Sequence, residues 1–265
     1  MINYTNYSAA NYDSLFGNKS IWEFYYEIGF NLLKQYFPIE QSKVADIGCG
    51  TGKWSIPLLI NGHSVHGVDI SQEMLDEFKN KLTDIKKKGD LTLHKLGIEE
   101  LSNDFKENSF DLTLCMGDPI SYSSDYNKAI NNVAYITKKG GYILFSVDYI
   151  YGYLRVFQEK YDFDPDILAE FFKTGNINGL ENLDIHAFYL DEFKSLVELS
   201  GCELVDYWFV PSVSGIFQNN SNFTSKLNND IEFRQKMMDI ELSLMNNKTS
   251  TGPTHLYGVM KKLDS

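Results

Sequence analysis

The chain has 265 residues, of which 43% are hydrophobic and 23% are charged, which is enough for one large α/β domain or a domain with an appended lobe. Its net charge of −12, from 24 basic and 36 acidic side chains, disfavours nucleic acid as a partner, because phosphate backbones are bound through Lys and Arg. Three scattered cysteines form neither a disulfide framework nor a metal cluster, and no apolar stretch is long enough to cross a bilayer. No signal peptide is visible, so the default expectation is a cytoplasmic protein.

The first forty residues predict a covering segment followed by a helix. Residues 4–16 are aromatic and polar without a clear period, and we interpret them as a lid. Ser20 and Glu23 have the form of a capping box, and apolar side chains at helical spacing continue the helix to about Phe37. The apolar stripe of this helix consists of Trp22, Tyr26, Phe30, Leu33 and Phe37.

Strands and helices alternate over the next hundred residues. The predicted strands span residues 43–47, 64–68, 91–95, 112–115 and 142–147. The helix before the last of these strands is expected to end at residues 138–141, where two lysines precede two glycines. Alternation of this kind predicts βαβ units and a parallel sheet.

Four acidic residues fall at the carboxyl ends of predicted strands. They are Asp46, Asp69, Asp118 and Asp148. Ligands of a parallel sheet bind beyond the carboxyl ends of its strands. The coincidence of four acids at this edge therefore predicts one shared pocket.

After the fifth predicted strand the alternation breaks. Residues 149–185 show no clean strand and only one helical pattern, and residues 211–225 look irregular before a helix over 230–245. Asp191 is expected to cap a helix that ends near residue 200, and strands at 203–210 and 254–260 complete the sheet. We therefore predict an N-terminal lid and helix over residues 1–40. The main domain spans residues 41–265, with pocket-covering insertions at about 149–185 and 211–250.

The glycine-rich stretch after the first strand is expected to hold a polar cofactor. It contains Asp46, Gly48, Gly50 and Gly52, and Lys53 follows. A dinucleotide fingerprint requires glycine at the sixth position from the first glycine, where this chain has Lys53, and no Gly-Lys-Ser/Thr follows for a triphosphate loop. S-adenosylmethionine, which has no pyrophosphate, is the third candidate.

This motif series resembles the class I S-adenosylmethionine-dependent methyltransferases over residues 44–147. The resemblance implies a Rossmann-like, doubly wound, mostly parallel seven-stranded sheet with helices on both faces. It implies that Asp46 faces the methionyl amino group, that Asp69 binds the ribose hydroxyls and that Ile70 lies beside adenine. The residues expected at the cofactor are Tyr12, Asp46, Gly48, Cys49, Gly50, Gly52, Asp69, Ile70, Met74, Gly97, Ile98, Glu99 and Met116.

The chain departs from the family pattern at Gly97, where members often carry an Asp that accepts from the adenine amino group. Adenine would then be bound by backbone groups or by Glu99. The candidate catalytic residues on the acceptor side are Asp118, Asp148 and His186, and no metal is expected. Each also has a structural interpretation. Asp118 could be a turn residue before Pro119, and Asp148 could cap a helix. His186, like His255, could be a buried histidine whose hydrogen bonds are satisfied.

The expected activity is transfer of a methyl group from S-adenosylmethionine to N or O of a small molecule. The reaction is an in-line displacement that leaves S-adenosylhomocysteine, and a general base is needed only where the acceptor must lose a proton. A tRNA or protein methyltransferase and a non-catalytic S-adenosylmethionine-binding protein remain open alternatives. The expected partner is a small-molecule acceptor; no membrane is expected, nucleic acid is disfavoured, and the protein is expected to be a monomer or homodimer.

Overall fold

The computed structural model describes Tyr12 and residues 21–154, 157, 164–180, 183–248 and 253–264. Its strands are β1 (Lys43–Ile47), β2 (Ser64–Asp69), β3 (Leu91–Lys95), β4 (Phe110–Cys115), β5 (Thr137–Asp148), β6 (Asn176–Leu180), β7 (Leu183–His186), β8 (Cys202–Val210) and β9 (His255–Lys262). Its α-helices are α1 (Ile21–Leu33), α2 (Ser55–Asn61), α3 (Gln72–Lys81), α4 (Leu101–Asp104), α5 (Tyr126–Ile136), α6 (Pro165–Thr174), α7 (Leu190–Leu199), α8 (Ser221–Asn229) and α9 (Ile231–Asn246).

Seven of these strands form one sheet in the order β3-β2-β1-β4-β5-β9-β8. Strands β1 to β5 pair in parallel, and β9 is antiparallel to both β5 and β8. The chain order reverses at β1, whose neighbours are β2 and β4, and this is where ligands bind in a doubly wound sheet. The predicted mostly parallel, seven-stranded α/β fold is confirmed.

Hydrophobic clusters cover both faces of the sheet. One packs α1, α2, α3 and α9 against the sheet, and the other packs α4, α5 and α7 against the opposite face. Helix α1 lies across the last strand, where a Cβ on Gly29 would fall 2.5 Å from the ring of Tyr257. In the described residues, no helix combines the length and the apolar character needed to cross a membrane.

The first helix is shorter and turned differently from the prediction. It ends at Leu33 and is followed by a single 3-10 turn, Lys34–Tyr36. Its buried face is formed by Ile21, Phe24, Tyr25, Ile28, Gly29, Leu32 and Leu33. The predicted stripe, apart from Leu33, is only half-buried. Two of its rings, Tyr26 and Phe30, pack on Trp54, which follows the glycine loop. The helix therefore has two apolar faces, and the sequence pattern identified the less buried one. The predicted cap Ser20 and the lid at 4–16, except Tyr12, lie outside the described residues.

The predicted helix end at residues 138–141 is wrong. Helix α5 ends at Ile136, and the lysines and glycines belong to the twelve-residue strand β5. Thr137 pairs with Phe110 of β4, and the register then shifts before Leu112. Gly140 adopts a φ of +74° in this irregularity, so the glycine serves a strand distortion and not a helix end.

The two regions interpreted as irregular contain more structure than predicted. Residues 149–185 hold helix α6 and β6, which pairs with β7 in an antiparallel hairpin. Residues 211–225 include a 3-10 turn and the start of α8. Tyr189, not Asp191, precedes helix α7, and Asp191 lies in its first turn. The hairpin packs into a small separate cluster around Ile150, Phe171 and Ile177.

Candidate functional site

A cavity of about 370 Å³ opens at the carboxyl ends of β1, β2 and β4. The predicted cofactor residues that line it are Tyr12, Gly48, Gly50, Asp69, Ile70, Met74, Ile98 and Glu99. Its volume lies within the range of about 300–1,000 Å³ that is usual for small-molecule sites. The lining also includes residues outside the predicted cofactor set, namely Ile47, Ser71, Leu96, Gly117, Pro119, Tyr122, Ser123 and Ser124.

The glycine loop forms one wall of this cavity. Gly48, Gly50 and Gly52 adopt φ values of +71°, +50° and +84°, a region in which only glycine is unstrained. The N–H groups of Gly48 and Cys49 donate to the carbonyl of Val68 at 2.8 and 3.0 Å, which fixes the loop to β2. Around Gly50 nothing would meet a Cβ within 4 Å, so this part of the loop backbone faces open space.

Asp69 lines the cavity at the end of β2, as predicted. One carboxylate oxygen accepts from the N–H of Gly50 at 2.8 Å and the other from the N–H of Ser71 at 2.9 Å. Burial raises the pKa of Asp69, while these backbone donors and that of Ile70 lower it. Two carboxylate oxygens offer about four lone pairs, so the side chain can still accept from two adjacent hydroxyl groups.

Asp46 is buried behind the loop and does not line the cavity. Its Oδ2 accepts from the hydroxyl of Ser55 at 2.6 Å, which ties the end of β1 to the start of α2. Burial raises the pKa of Asp46 to about 7, with the Ser55 hydrogen bond lowering it and the charge of Asp69 raising it further. Asp46 is therefore a buried carboxyl group behind the lining residues that can change its ionisation near neutral pH.

The other predicted cofactor residues that do not line the cavity make packing contacts or hydrogen bonds within the protein. Cys49 points toward β2, where a Cβ on Gly67 would meet its Sγ at 3.0 Å. Met116 is buried in the hydrophobic cluster beneath the loop. Gly52 packs on Phe78, and the N–H of Gly97 donates to Glu100 at 3.1 Å. Their proposed contacts to the cofactor stay predictions that the cavity shape does not support.

Glu99 occupies the edge of the cavity near Gly97. Its Oε1 accepts from the backbone N–H and the hydroxyl of Ser124 at 2.8 and 3.0 Å. The carboxylate thereby connects the turn after β3 to the loop after β4. Because Gly97 has no side chain, Glu99 is the acidic side chain lining this part of the described site.

The loop after β4 is fastened to β5. Ser146 Oγ accepts from the N–H groups of Gly117 and Asp118 at 2.8 and 3.2 Å, and Ser121 Oγ accepts from the N–H of Asp148 at 2.8 Å. Asp118 has a φ of +64°, in the left-handed region that Asp and Asn tolerate better than other non-glycine residues. The loop places Asp118 between two residues that line the cavity, Gly117 and Pro119.

Asp118 and Asp148 meet a third residue, His255, at the start of β9. Nδ1 of His255 lies 3.1 Å from Oδ2 of Asp118 and 3.8 Å from Oδ1 of Asp148. Burial lowers the pKa of His255, but the charges of Asp118 and Asp148 outweigh it and raise the pKa to about 9. Burial and the charge of Asp118 raise the pKa of Asp148 to about 7, against the lowering effects of His255 and the hydroxyls of Tyr153 and Tyr122.

His255 is the residue that sequence reasoning missed. In the sequence it is a lone histidine in an apolar final strand, a pattern that favours a structural interpretation. The signal that could have identified it is topological: β9 pairs antiparallel with β5, so the start of β9 lies beside the end of β5 at Asp148.

His186 is not brought to this group. Its Nδ1 lies 2.8 Å from Oδ1 of Asn176 and its Nε2 lies 2.8 Å from Oε1 of Glu192. Its ring stacks on Tyr126, with the centroids 4.3 Å apart. Both ring nitrogens are engaged and the residue does not line the cavity, so its catalytic role stays a prediction without geometric support.

Comparisons with known proteins agree with this fold. The family model of a methyltransferase domain matches residues 44–141. A ubiquinone biosynthesis O-methyltransferase from Coxiella burnetii is 27% identical over 192 residues, which cover 66% of this chain and 79% of that protein.

Solved structures share the fold over nearly the whole chain. A protein from Listeria monocytogenes assigned to the S-adenosylmethionine-dependent methyltransferases has a TM-score of 0.62 and 17% identity, covering 90% of this chain and all of that one. An S-adenosylmethionine-dependent methyltransferase from Methanosarcina mazei has a TM-score of 0.58 and 18% identity, covering 88% and 97%. At these identities the likeness shows the fold alone.

A doubly wound sheet with a glycine loop and an acid at the end of β2 is an arrangement suited to binding a nucleoside-containing cofactor. Together with the methyltransferase domain matched over residues 44–141 and the curated relatives, it identifies the chain as an S-adenosylmethionine-dependent methyltransferase. Its cofactor is S-adenosylmethionine.

Proposed function

We propose that this enzyme transfers the methyl group of S-adenosylmethionine to N or O of a small organic acceptor. The observation that supports the proposal is the position of Asp118, held between two cavity-lining residues and joined to Asp148 and His255. The cavity would hold the methyl donor, and the three buried ionisable residues would face the acceptor.

The residues around the cavity fit the parts of the donor. Asp69 has the lone pairs to accept from both ribose hydroxyls, and the open backbone at Gly50 allows the ligand to approach closely. Ile70, Met74 and Ile98 supply apolar surface suited to the faces of the adenine ring. S-adenosylmethionine supplies an activated methyl group on a sulfonium, and the chain contributes alignment and exclusion of water.

Asp46 would interact with the methionyl ammonium from a position behind the residues that line the cavity. Because Asp46 does not line the cavity, its contact with the ammonium would run through an intervening water, as the family resemblance implies. The positive charge of a bound ammonium would stabilise the ionised carboxylate, whose pKa is about 7 without it.

The acceptor side offers two carboxylates, Asp118 and Asp148. An amine that is neutral when bound can attack the methyl group without a base, whereas a hydroxyl group must lose its proton. Asp118 and Asp148 are the acceptor-side groups for that proton or for orienting the acceptor. The curated relative is an O-methyltransferase by name, which supports oxygen as the acceptor atom.

The acidic charge of the chain argues against a tRNA substrate, because the net charge of −12 repels phosphate. Asp69 and the open backbone at Gly50 argue against a protein that has lost its cofactor. A monomer or homodimer, a cytoplasmic location, and the lid and insertion boundaries stay predictions from the sequence.

The experiment is methyl transfer from S-adenosylmethionine labelled in the methyl group. The purified chain is incubated with a panel of phenols, catechols and primary and secondary amines, and in parallel with total tRNA and a protein extract. We expect label in one class of small molecule, with stoichiometric S-adenosylhomocysteine. Label confined to RNA or to protein would contradict the proposal.

A further inference from the structure

The last strand of the sheet carries a histidine to the acceptor side of the site. His255 begins β9, where it pairs with Asp148 at the end of β5 and with Val210 at the end of β8. Backbone pairing with strands on both sides fixes its position, and its side chain is only 12% exposed. The topology of the sheet therefore places one largely buried imidazole beside the acids that follow β4 and end β5.

The ring of His255 contacts both acids. Its Nδ1 lies 3.1 Å from Oδ2 of Asp118 and 3.8 Å from Oδ1 of Asp148, which are the distances of ion pairs. Asp118 and Asp148 are 6% and 4% exposed, and two buried carboxylates at one place need a positive charge to offset the loss of water. Among the described residues, the imidazole of His255 is the cation that pairs with each of them.

The two acids differ in what else they contact. The carboxyl group of Asp148 also accepts hydrogen bonds from the hydroxyls of Tyr153 and Tyr122. One oxygen of each acid, Oδ1 of Asp118 and Oδ2 of Asp148, is buried without a hydrogen-bond partner among the described residues. Asp118 lies in the loop between two residues that line the cavity, so its Oδ1 is the oxygen placed to meet an acceptor beside the methyl donor.

We propose that His255 is a positioning residue for methyl transfer to a hydroxyl group. Its imidazolium fixes Oδ2 of Asp118 and keeps this carboxylate ionised, which leaves Oδ1 to accept a hydrogen bond from the acceptor. In the transfer, which rests on the proposed function, the acceptor oxygen bonds to the methyl carbon and the carbon–sulfur bond breaks to leave S-adenosylhomocysteine. The hydroxyl proton passes to Oδ1 of Asp118. His255 is not among the residues that line the described cavity, and it acts through Asp118.

The charge balance of the cluster explains why the acid needs this neighbour. With the ring charged and both acids ionised, the cluster carries one negative charge, and the proton from the acceptor neutralises it. Without the ring, two carboxylates so close together would share one proton, because like charges disfavour the ionisation of both. The other titratable side chains around the cluster are a thiol and phenols, which are neutral near pH 7. They are Cys115, Tyr25, Tyr122, Tyr153 and Tyr257.

The first test follows the charge of the ring and needs no acceptor. Long-range proton–nitrogen NMR of the full chain reports whether each imidazole is charged as the pH rises. Burial lowers the pKa of His63, His66 and His94, so these three rings are neutral above about pH 8, and His186→Gln assigns a fourth. The ring of His255, with its pKa raised to about 9, should still be charged there. This assignment holds even if substitution of His255 prevents folding.

Substitution of Asp118 should remove much of what keeps the ring charged. Burial alone lowers the pKa of His255, and the charges of Asp118 and Asp148 raise it. In Asp118→Asn, the pH at which the ring loses its charge should fall by at least about 1 unit. Asn suits this position because it tolerates the positive φ. The control Asp76→Asn, on the exposed side of α3, should leave the titration of the ring unchanged.

The second test uses a hydroxyl acceptor identified by the labelling panel. Near neutral pH, His255→Gln should lower kcat at least about 10-fold and leave the KM for S-adenosylmethionine within about 3-fold, because glutamine keeps a donor but not the charge. The pH below which kcat falls should rise by at least about 1 unit, since the two carboxylates then share a proton. His186→Gln makes the same change at a histidine outside the cluster and should leave the pH profile in place.

Three results would overturn the inference. They are a His255 ring whose charge does not respond to Asp118→Asn, a folded His255→Gln whose pH profile matches that of His186→Gln, and methyl transfer to amines alone. Failure of the proposed function is distinguishable from these. A chain that methylates no small molecule would remove the role in catalysis, whereas the ion pair of His255 with Asp118 would persist in the NMR titration.

Discussion

Gly52 lies so close to Phe78 that it has no room for a side chain: a Cβ on Gly52 would fall 2.2 Å from Cδ2 of the phenyl ring. Phe78 is fully buried in α3, and its ring fills the space beneath the glycine loop. The third glycine of the loop is therefore required by packing, whereas Gly50 faces open space. The loop thus contains glycines of two kinds.

Substitution of these two glycines should separate stability from binding. Gly52→Ala should lower the free energy of unfolding by about 2–4 kcal/mol, because it combines a clash with a positive φ. Gly50→Ala should cost only about 1 kcal/mol from its φ of +50°, but should weaken S-adenosylhomocysteine binding. Urea denaturation and calorimetry measure both; equal stability losses would show that Phe78 yields to the added methyl group.

Asp46 should make the stability of the ligand-free protein depend on pH. Its pKa is about 7 when folded and near 3.8 when unfolded, so its favourable contribution is complete below about pH 4 and is lost as pH rises through 7. Asp46→Asn should gain stability relative to the wild type across this window, on the order of 1.4 kcal/mol for each pKa unit. Chemical denaturation between pH 5 and 8 compares the two, with Asp76→Asn as the control. A constant difference across the window would refute the raised pKa.

The sequence was most informative where local pattern and fold agree. The strands up to β4 and the acid at Asp69 are bounded by turn residues and end at one sheet edge, so their positions followed from the chain alone. Residues 138–141 were misread because lysine and glycine after a helix also suit an irregular strand, and only pairing with β4 decides between them. His255 was missed because its partners are distant in sequence and depend on the antiparallel pairing of β9 with β5.

Glu241 should be the buried carboxylate on which the second insertion depends. It lies in α9 and accepts from the N–H groups of Ser212, Val213 and Ser214 at 2.6, 3.2 and 2.6 Å. Glu241→Gln places an amide where these donors need an acceptor and should cost about 2–4 kcal/mol of unfolding free energy. Glu232→Gln on the same helix removes only an exposed pair with Lys236 and should cost less than about 0.5 kcal/mol. Similar losses in urea denaturation would mean that Glu241 does not anchor this segment.

His186 should act in stability and not in chemistry. Its ring nitrogens connect β6, through Asn176, to α7, through Glu192. His186→Gln should lower the free energy of unfolding by about 1–2 kcal/mol and leave kcat within about 3-fold of the wild type. A folded variant that loses more than about 100-fold in kcat would restore the catalytic role that the sequence suggested.

The measurement that tests the central claim most directly is calorimetric binding of S-adenosylhomocysteine to the wild type and to Asp69→Asn. Asp69 both lines the cavity and holds the glycine loop, through Gly50. We expect one site in the wild type and a loss of affinity of at least about 100-fold in the variant, because each hydrogen bond to a charged group contributes about 1.5–3 kcal/mol. Asp76→Asn controls for charge. Absence of binding to the wild type, or unchanged binding to a folded Asp69→Asn, would contradict the account.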